Sequence, residues 1–176
     1  MVRFSFVVGA VFATFLATAF AQEPAQKAEA ERRLTKATYL VTGLHCQGCT
    51  RTVESSLERV QGIRSIKVDW KTKNAQLEFD EAVLPAQKIA RMIADTPHMM
   101  GRNMHYGGLL VLRVPAIKDD ATAKPAQEAL SKVKGVERVL AYPAQHAIGV
   151  QFATKGDVTT QQLIEALKRA GLTATM

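Results

Sequence analysis

Two cysteines, Cys46 and Cys49, are the only thiols in the 176-residue chain, and two residues separate them. A bridge across so short a gap closes almost no loop and adds little stability. The pair therefore points to chemistry: binding of a soft metal ion, or thiol–disulfide exchange. A second group of donors lies at residues 97–106, Pro-His-Met-Met-Gly-Arg-Asn-Met-His-Tyr, with two histidines and three methionines in ten residues. Imidazole and thioether donors suit copper, and the thioether suits Cu(I) above all. Any single Met among Met99, Met100 and Met104 reads first as a strand residue filling a gap in a core.

Elements must hold these donors, and the sequence supplies them in two rounds. Residues 39–79 superpose on 112–152 at a constant shift of 73, matching Val41 with Val114, Leu57 with Leu130, Gly62 with Gly135 and Phe79 with Phe152. One extra residue near Lys155 then moves the shift to 74 and matches Ile89 with Leu163 and Ile93 with Leu167. Such self-similarity predicts two copies of one unit. In the first copy, Thr38–Thr42 alternates as a strand. Val53, Leu57 and Val60 give a helical period over Cys49–Val60, and Gly62 ends it. Ile63–Val68 and Ala75–Phe79 form two strands about the polar Lys71-Thr72-Lys73-Asn74 turn. Pro85 opens a second helix that buries Ile89 and Ile93. A last strand is expected at Met99–Tyr106. The second copy gives Leu109–Val114, Lys124–Val133, Val136–Tyr142, Ala147–Phe152, Thr159–Ala170 and a closing strand at Leu172–Met176. The β-α-β-β-α-β order predicts an α+β chain of two tandem ferredoxin-like sandwiches, at 37–106 and 107–176.

In this frame the cysteine segment, Gly43-Leu44-His45-Cys46-Gln47-Gly48-Cys49, joins the first strand to the first helix. Cys49 sits where the positive end of the helix dipole favours a thiolate, the form that binds metal. Arg51 adds to that field. The segment and the element order around it resemble the G-M-x-C-x-x-C loop of heavy-metal-associated domains, over residues 38 to about 106 and more weakly, through the repeat, over 109–176. The resemblance implies Cys46 and Cys49 as the metal ligands. It also implies Leu44 in the place of the family's Met, plugging the core beneath the loop. Two thiolates suit an ion of low coordination number, Cu(I) first and Hg(II) as the alternative, whereas structural zinc takes four protein ligands. The resemblance further implies a carrier that receives the ion from, or passes it to, a metal transporter or acceptor metalloprotein. His45 and His98 are candidate accessory donors. His45 reads first as a solvent-exposed loop residue; the repeat sets Pro97-His98 opposite Gly171-Leu172, and the resemblance implies that this loop lies beside the metal loop. The second copy carries Asp119 and Thr122 where the first has its cysteines, so it keeps the fold and lacks the site. His146 is expected in an exposed turn.

The ends and the charge bound the remaining possibilities. Arg3, an apolar run from Phe4 to Phe20 and the Ala19-Phe20-Ala21 pattern have the layout of a secretory signal peptide over 1–21, followed by a polar, flexible leader at 22–36. The expectation is export, to the periplasm if the source is bacterial, with membrane contact only if the signal segment is retained. Residues 1–21 hold one of 23 basic residues and none of 16 acidic ones, leaving +6 on the rest. These charges are scattered without interleaved aromatics, which argues against a nucleic-acid face. No hydrolytic triad or phosphate loop is present, so no enzyme is expected. Two other functions stay open: a thiol–disulfide redox protein, and a structural adaptor with its cysteines bridged.

Overall fold

The computed structural model describes residues 34–176. The expected signal peptide and residues 22–33 of the expected leader lie outside the described residues. Leu34, Thr35 and Lys36, also assigned to that leader, instead begin the first strand, β1 (Leu34–Thr42). There follow α1 (Gln47–Leu57), β2 (Ile63–Asp69), β3 (Asn74–Asp80), α2 (Ala86–Asp95), β4 (Gly107–Arg113), α3 (Asp120–Ser131), β5 (Val136–Tyr142), a 3-10 turn at Pro143–Gln145, β6 (Ala147–Phe152) and α4 (Thr160–Arg169).

The six strands form one antiparallel sheet in the order β2-β3-β1-β4-β6-β5. This differs from two tandem sandwiches of four strands each. The expected strand at Met99–Tyr106 is irregular chain, and β4 takes its place beside β1, with Thr42 opposite Gly107 and Thr38 opposite Val111. The same β4 pairs on its other edge with β6, from Leu110 opposite Val150 to Arg113 opposite Ala147. One strand thus closes the first β-α-β-β-α-β series and opens the second. The expected closing strand at Leu172–Met176 is reduced to a single bridge between Thr175 and Arg113. The physical reason is that a strand bonded on both edges serves two neighbours. Eight strands are not needed to satisfy the backbone of the two central ones.

Alternation decides which face carries the helices. Ala37, Tyr39 and Val41 of β1, Ala75, Leu77 and Phe79 of β3, and Leu110 and Leu112 of β4 are buried in one apolar core. Leu57, Ile89, Ile93, Leu130, Leu163 and Leu167 from the helices join the same core. The intervening residues Thr38, Leu40 and Val111 stay half-exposed on the other face. Positions 73 apart share local geometry. Gly62 and Gly135 both take left-handed backbone, with φ of 97° and 103°. The register slips at Ile63/Ser65 and again at Val136/Arg138.

Polar side chains tie the first helical pair to the second. Gln87, buried at the start of α2, donates to the Ala153 carbonyl at 2.7 Å and accepts from the Val158 amide at 3.0 Å. Glu81 accepts from the Thr160 hydroxyl at 2.7 Å and from the Thr160 amide at the start of α4, where a carboxylate complements the helix dipole. Removing the Gln87 amide strands a buried donor and a carbonyl, a loss of about 2–3 kcal/mol. Gln87→Ala should lower the unfolding free energy obtained from urea denaturation by that amount, seen as a lower midpoint at unchanged slope. Fluorescence of the single tryptophan, Trp70, and far-ultraviolet circular dichroism should move together, because the shared sheet makes one cooperative unit. Two separated transitions would contradict this.

Candidate metal site

The site is built on a helix start. Cys46 is the N-cap of α1, with extended backbone at φ −156° and ψ 171°, and its side chain makes no capping hydrogen bond. Cys49 is the third helical residue, so the turn brings the two sulfurs to 3.5 Å. Both thiols are free; Cys46 is exposed and Cys49 buried. No acidic residue lies in the first turn of α1 to offset its positive end.

The corresponding junction of the second half shows what the cysteines replace. Asp119 caps α3 with nearly the same backbone, φ −153° and ψ 179°, and closes a full capping box with Thr122. The amides of Lys118 and Asp119 both donate to the Thr122 hydroxyl, at 2.9 and 3.0 Å. In the first half the equivalent amides, of His45 and Cys46, approach the Cys49 sulfur. Burial pushes the Cys49 thiol up. The His45 amide, the Tyr106 hydroxyl, the Cys46 thiol and the Cys46 amide act against it, and the balance brings the thiol down from 9.0 to about 7. Hydrogen-bond donors that converge on the anion favour the charged form.

Tyr106 was not marked by any periodicity in the sequence, since it falls in the stretch read as a strand. It is buried, its hydroxyl has no well-aligned partner among the protein atoms, and burial together with the neighbouring Cys49 sulfur pushes it up to about 12. It therefore stays a neutral donor beside the thiolate. Leu44 is buried beneath the loop, as the resemblance implied, and Ile117 fills the matching place in the second half.

The two candidate accessory histidines are placed differently. His98 is buried and stacks on Tyr106 with ring centroids 4.4 Å apart. Its Nδ1 accepts from the Met100 amide at 3.1 Å, which leaves Nε2 to donate to the Gly43 carbonyl at 3.0 Å. Both ring nitrogens are committed to backbone, so His98 fastens the loop. His45 is exposed, and its ring meets His98 edge-on at 5.9 Å. Gly43 has φ of 83°, and a β-carbon there would lie 2.6 Å from the His105 carbonyl oxygen. Only glycine lets the loop pass so close to residues 105–106. Met99 and Met100 are 60% and 65% exposed, so they do not pack the core as read from sequence. His146 is exposed, as expected, and bonds the Ile117 carbonyl at 2.6 Å. Among the described residues, no group of three or more His, Cys, Asp or Glu side chains converges as a metal cluster.

The heavy-metal-associated domain profile matches residues 38–98. The chain is 33% identical over 58 residues to the copper chaperone CopZ of Enterococcus hirae, covering 33% of this chain and 84% of that one. It is also 33% identical over 58 residues to the periplasmic component of the mercuric transport protein of Pseudomonas aeruginosa, covering 33% of this chain and 64% of the other. A longer match, 27% over 150 residues, joins 82% of this chain to the copper-transporting ATPase HMA5 of Oryza sativa subsp. japonica, of which it spans only 15%. A dithiol at a helix start in this fold, a profile match across both cysteines and a chaperone matched over most of its length make the chain a member of the heavy-metal-associated domain family.

Proposed function

We propose that the chain is an exported carrier of a soft metal ion, Cu(I), held by the thiolates of Cys46 and Cys49 and passed to a transporter or acceptor metalloprotein. The observation that carries this reading is the uncapped helix start: two sulfurs 3.5 Å apart, one exposed and one buried, in place of a capping box. Metal–sulfur bonds of about 2.3 Å, as for zinc thiolates, set the sulfurs of a linear site about 4.6 Å apart. The exposed Cys46 is the side chain free to open by that much. An ion held by one buried and one exposed sulfur is accessible to an incoming thiolate, which suits transfer better than storage. Similarity to a copper chaperone and to a copper-transporting ATPase supports copper and a transporter partner. Similarity to a mercuric periplasmic protein supports Hg(II) as the second reading, since it too favours two thiolates. We read the second half as a degenerate copy that kept the fold, with Asp119 and Thr122 restoring the cap that the cysteines displaced. The signal-like amino terminus supports export, and nothing in the site calls for catalysis.

Anaerobic titration of the reduced protein with Cu(I), against a chromogenic chelator, should show one tightly bound ion. The Cys46→Ser, Cys49→Ser double variant should show none. Equal binding by the variant would end the thiolate reading, and parallel titration with Hg(II) ranks the two metals.

Proton linkage gives a second test. The Cys49 thiol is depressed from 9.0 to about 7 in the folded protein. Its contribution to stability is therefore fully present above about 9 and is lost as pH falls through about 7. Ultraviolet thiolate absorbance of the reduced protein should titrate with a first midpoint near 7, and Tyr106→Phe should move that midpoint upward. The urea midpoint should rise with pH between the same limits, and Cu(I) affinity should weaken below about 7 as protons compete. A first thiol titrating near 9 would contradict the assignment.

A further inference from the structure

The irregular segment after α2 lies against the metal loop, and two contacts of one histidine fix it there. His98 joins the Gly43 carbonyl of the loop through Nε2 and holds the amide of Met100 through Nδ1. The residue between these anchors is Met99. Its position is set by the backbone on both sides, although its side chain is 60% exposed.

The thioether reaches the site through the space that a side chain at position 48 would fill. A β-carbon on Gly48 would meet the Met99 sulfur at 3.1 Å and its methyl carbon at 3.2 Å. The Cys46 sulfur would be the third neighbour, at 3.6 Å. Two sulfurs from separate segments thus flank one point over the first turn of α1. Gly48 has no left-handed backbone to explain it, and glycine inside a helix costs about 1 kcal/mol relative to alanine. Its lack of a side chain is what admits the thioether.

We infer that Met99 is a third donor to the ion held by Cys46 and Cys49, so that the loaded site holds Cu(I) by two thiolates and one thioether. The inference rests on the two-thiolate reading. Chemistry favours it over the neighbouring alternatives. The thioether is a soft, neutral ligand suited to Cu(I). It adds no charge and needs no deprotonation. His98 cannot offer a nitrogen without giving up either the Gly43 carbonyl or the Met100 amide. A weak third ligand on an exposed, flexible side chain would raise affinity in the loaded protein. It would also leave first when an acceptor's thiolate approaches. It therefore distinguishes a transfer site for copper from a purely linear dithiolate.

The test uses the full protein labelled with selenomethionine, reduced and loaded with one Cu(I). Selenium-edge X-ray absorption should show a copper neighbour in the wild-type protein and in Met100→Leu, and none in Met99→Leu. Competition titration should place Met99→Leu about tenfold weaker for Cu(I), at the low end of the losses seen when groups supporting a metal site are removed. Met100→Leu, equally exposed and one residue away, should bind like the wild type. A wild-type protein that binds Cu(I) through its cysteines but shows no selenium–copper neighbour overturns the third donor and leaves the thiolate reading standing. The same holds if the neighbour persists in Met99→Leu, or if the two variants match in affinity. Failure of the wild-type protein to bind Cu(I) overturns both.

Discussion

Two consecutive backbone amides turned onto one side-chain atom are the constraint on which the site depends. At the start of any helix the first amides lack partners in the helix itself. In the second half this need is met conventionally: the amides of Lys118 and Asp119 donate to the Thr122 hydroxyl, and Asp119 caps the Thr122 amide. In the first half the same backbone presents the same amides to the sulfur of Cys49. A thiol is a poor acceptor, so the helix start is left under-satisfied until the sulfur carries charge. The geometry that stabilises a helix in one place stabilises a thiolate in the other, with a two-atom change of side chain at the third helical position.

That substitution has a cost, and the surrounding packing shows where it is offset. Losing a capping residue weakens a helix by about 1 kcal/mol. The first half holds its loop by other means: Leu44 is driven into the core, His98 bonds the Gly43 carbonyl, and Tyr106 stacks on His98. None of these contacts occupies the sulfurs. The loop is fixed at its base while the exposed Cys46 at its tip stays accessible. Rigid support below and freedom above is what the proposed exchangeable ligand pair would require, since donors must be held near the bound geometry without being enclosed.

Much of this was legible from residues alone, and the failures have one origin. Strands β5 and β6 fall at the expected residues, and β2 and β3 extend by one or two, because alternation, the glycines at 62 and 135 and the polar turn are local signals. The Cys46–Cys49 pair and the second helix opened by Pro85 were likewise readable from spacing and type, and the buried Leu44 from the resemblance to heavy-metal-associated domains. The residues from Met99 to Tyr106 were not. Leu109–Val114 reads as the first strand of a second copy; the strand found there is Gly107–Arg113, and it bonds β1 on one edge and β6 on the other, which removes the need for a separate fourth strand. Which edge a strand offers to which neighbour is decided by pairing across the fold, and no short-range pattern encodes it. Tyr106 was lost with that misassigned segment, and the bonds of His98, just before it, to the Gly43 carbonyl and the Met100 amide carry no short-range signal.

The sharing of β4 is also what makes the site possible in its present form. Were residues 99–106 a strand beside β1, their side chains would alternate between core and solvent, and the segment would run along the sheet instead of folding over the loop. Because 107–113 carries the pairing, the preceding residues are free to turn back. The chain leaves α2 at Asp95, crosses the cysteine loop at His98 and reaches β4 through Tyr106. The crossing brings an imidazole, a thioether and a phenol to one end of α1 from a stretch with no regular structure of its own. Irregular backbone of this kind is stable only where its polar groups find partners. Here the Met100 amide finds His98 Nδ1, the Gly101 amide the His98 carbonyl, and the Met104 amide the Gly101 carbonyl. The second half therefore shapes the end of the first half that carries the two cysteines, through the topology it imposes.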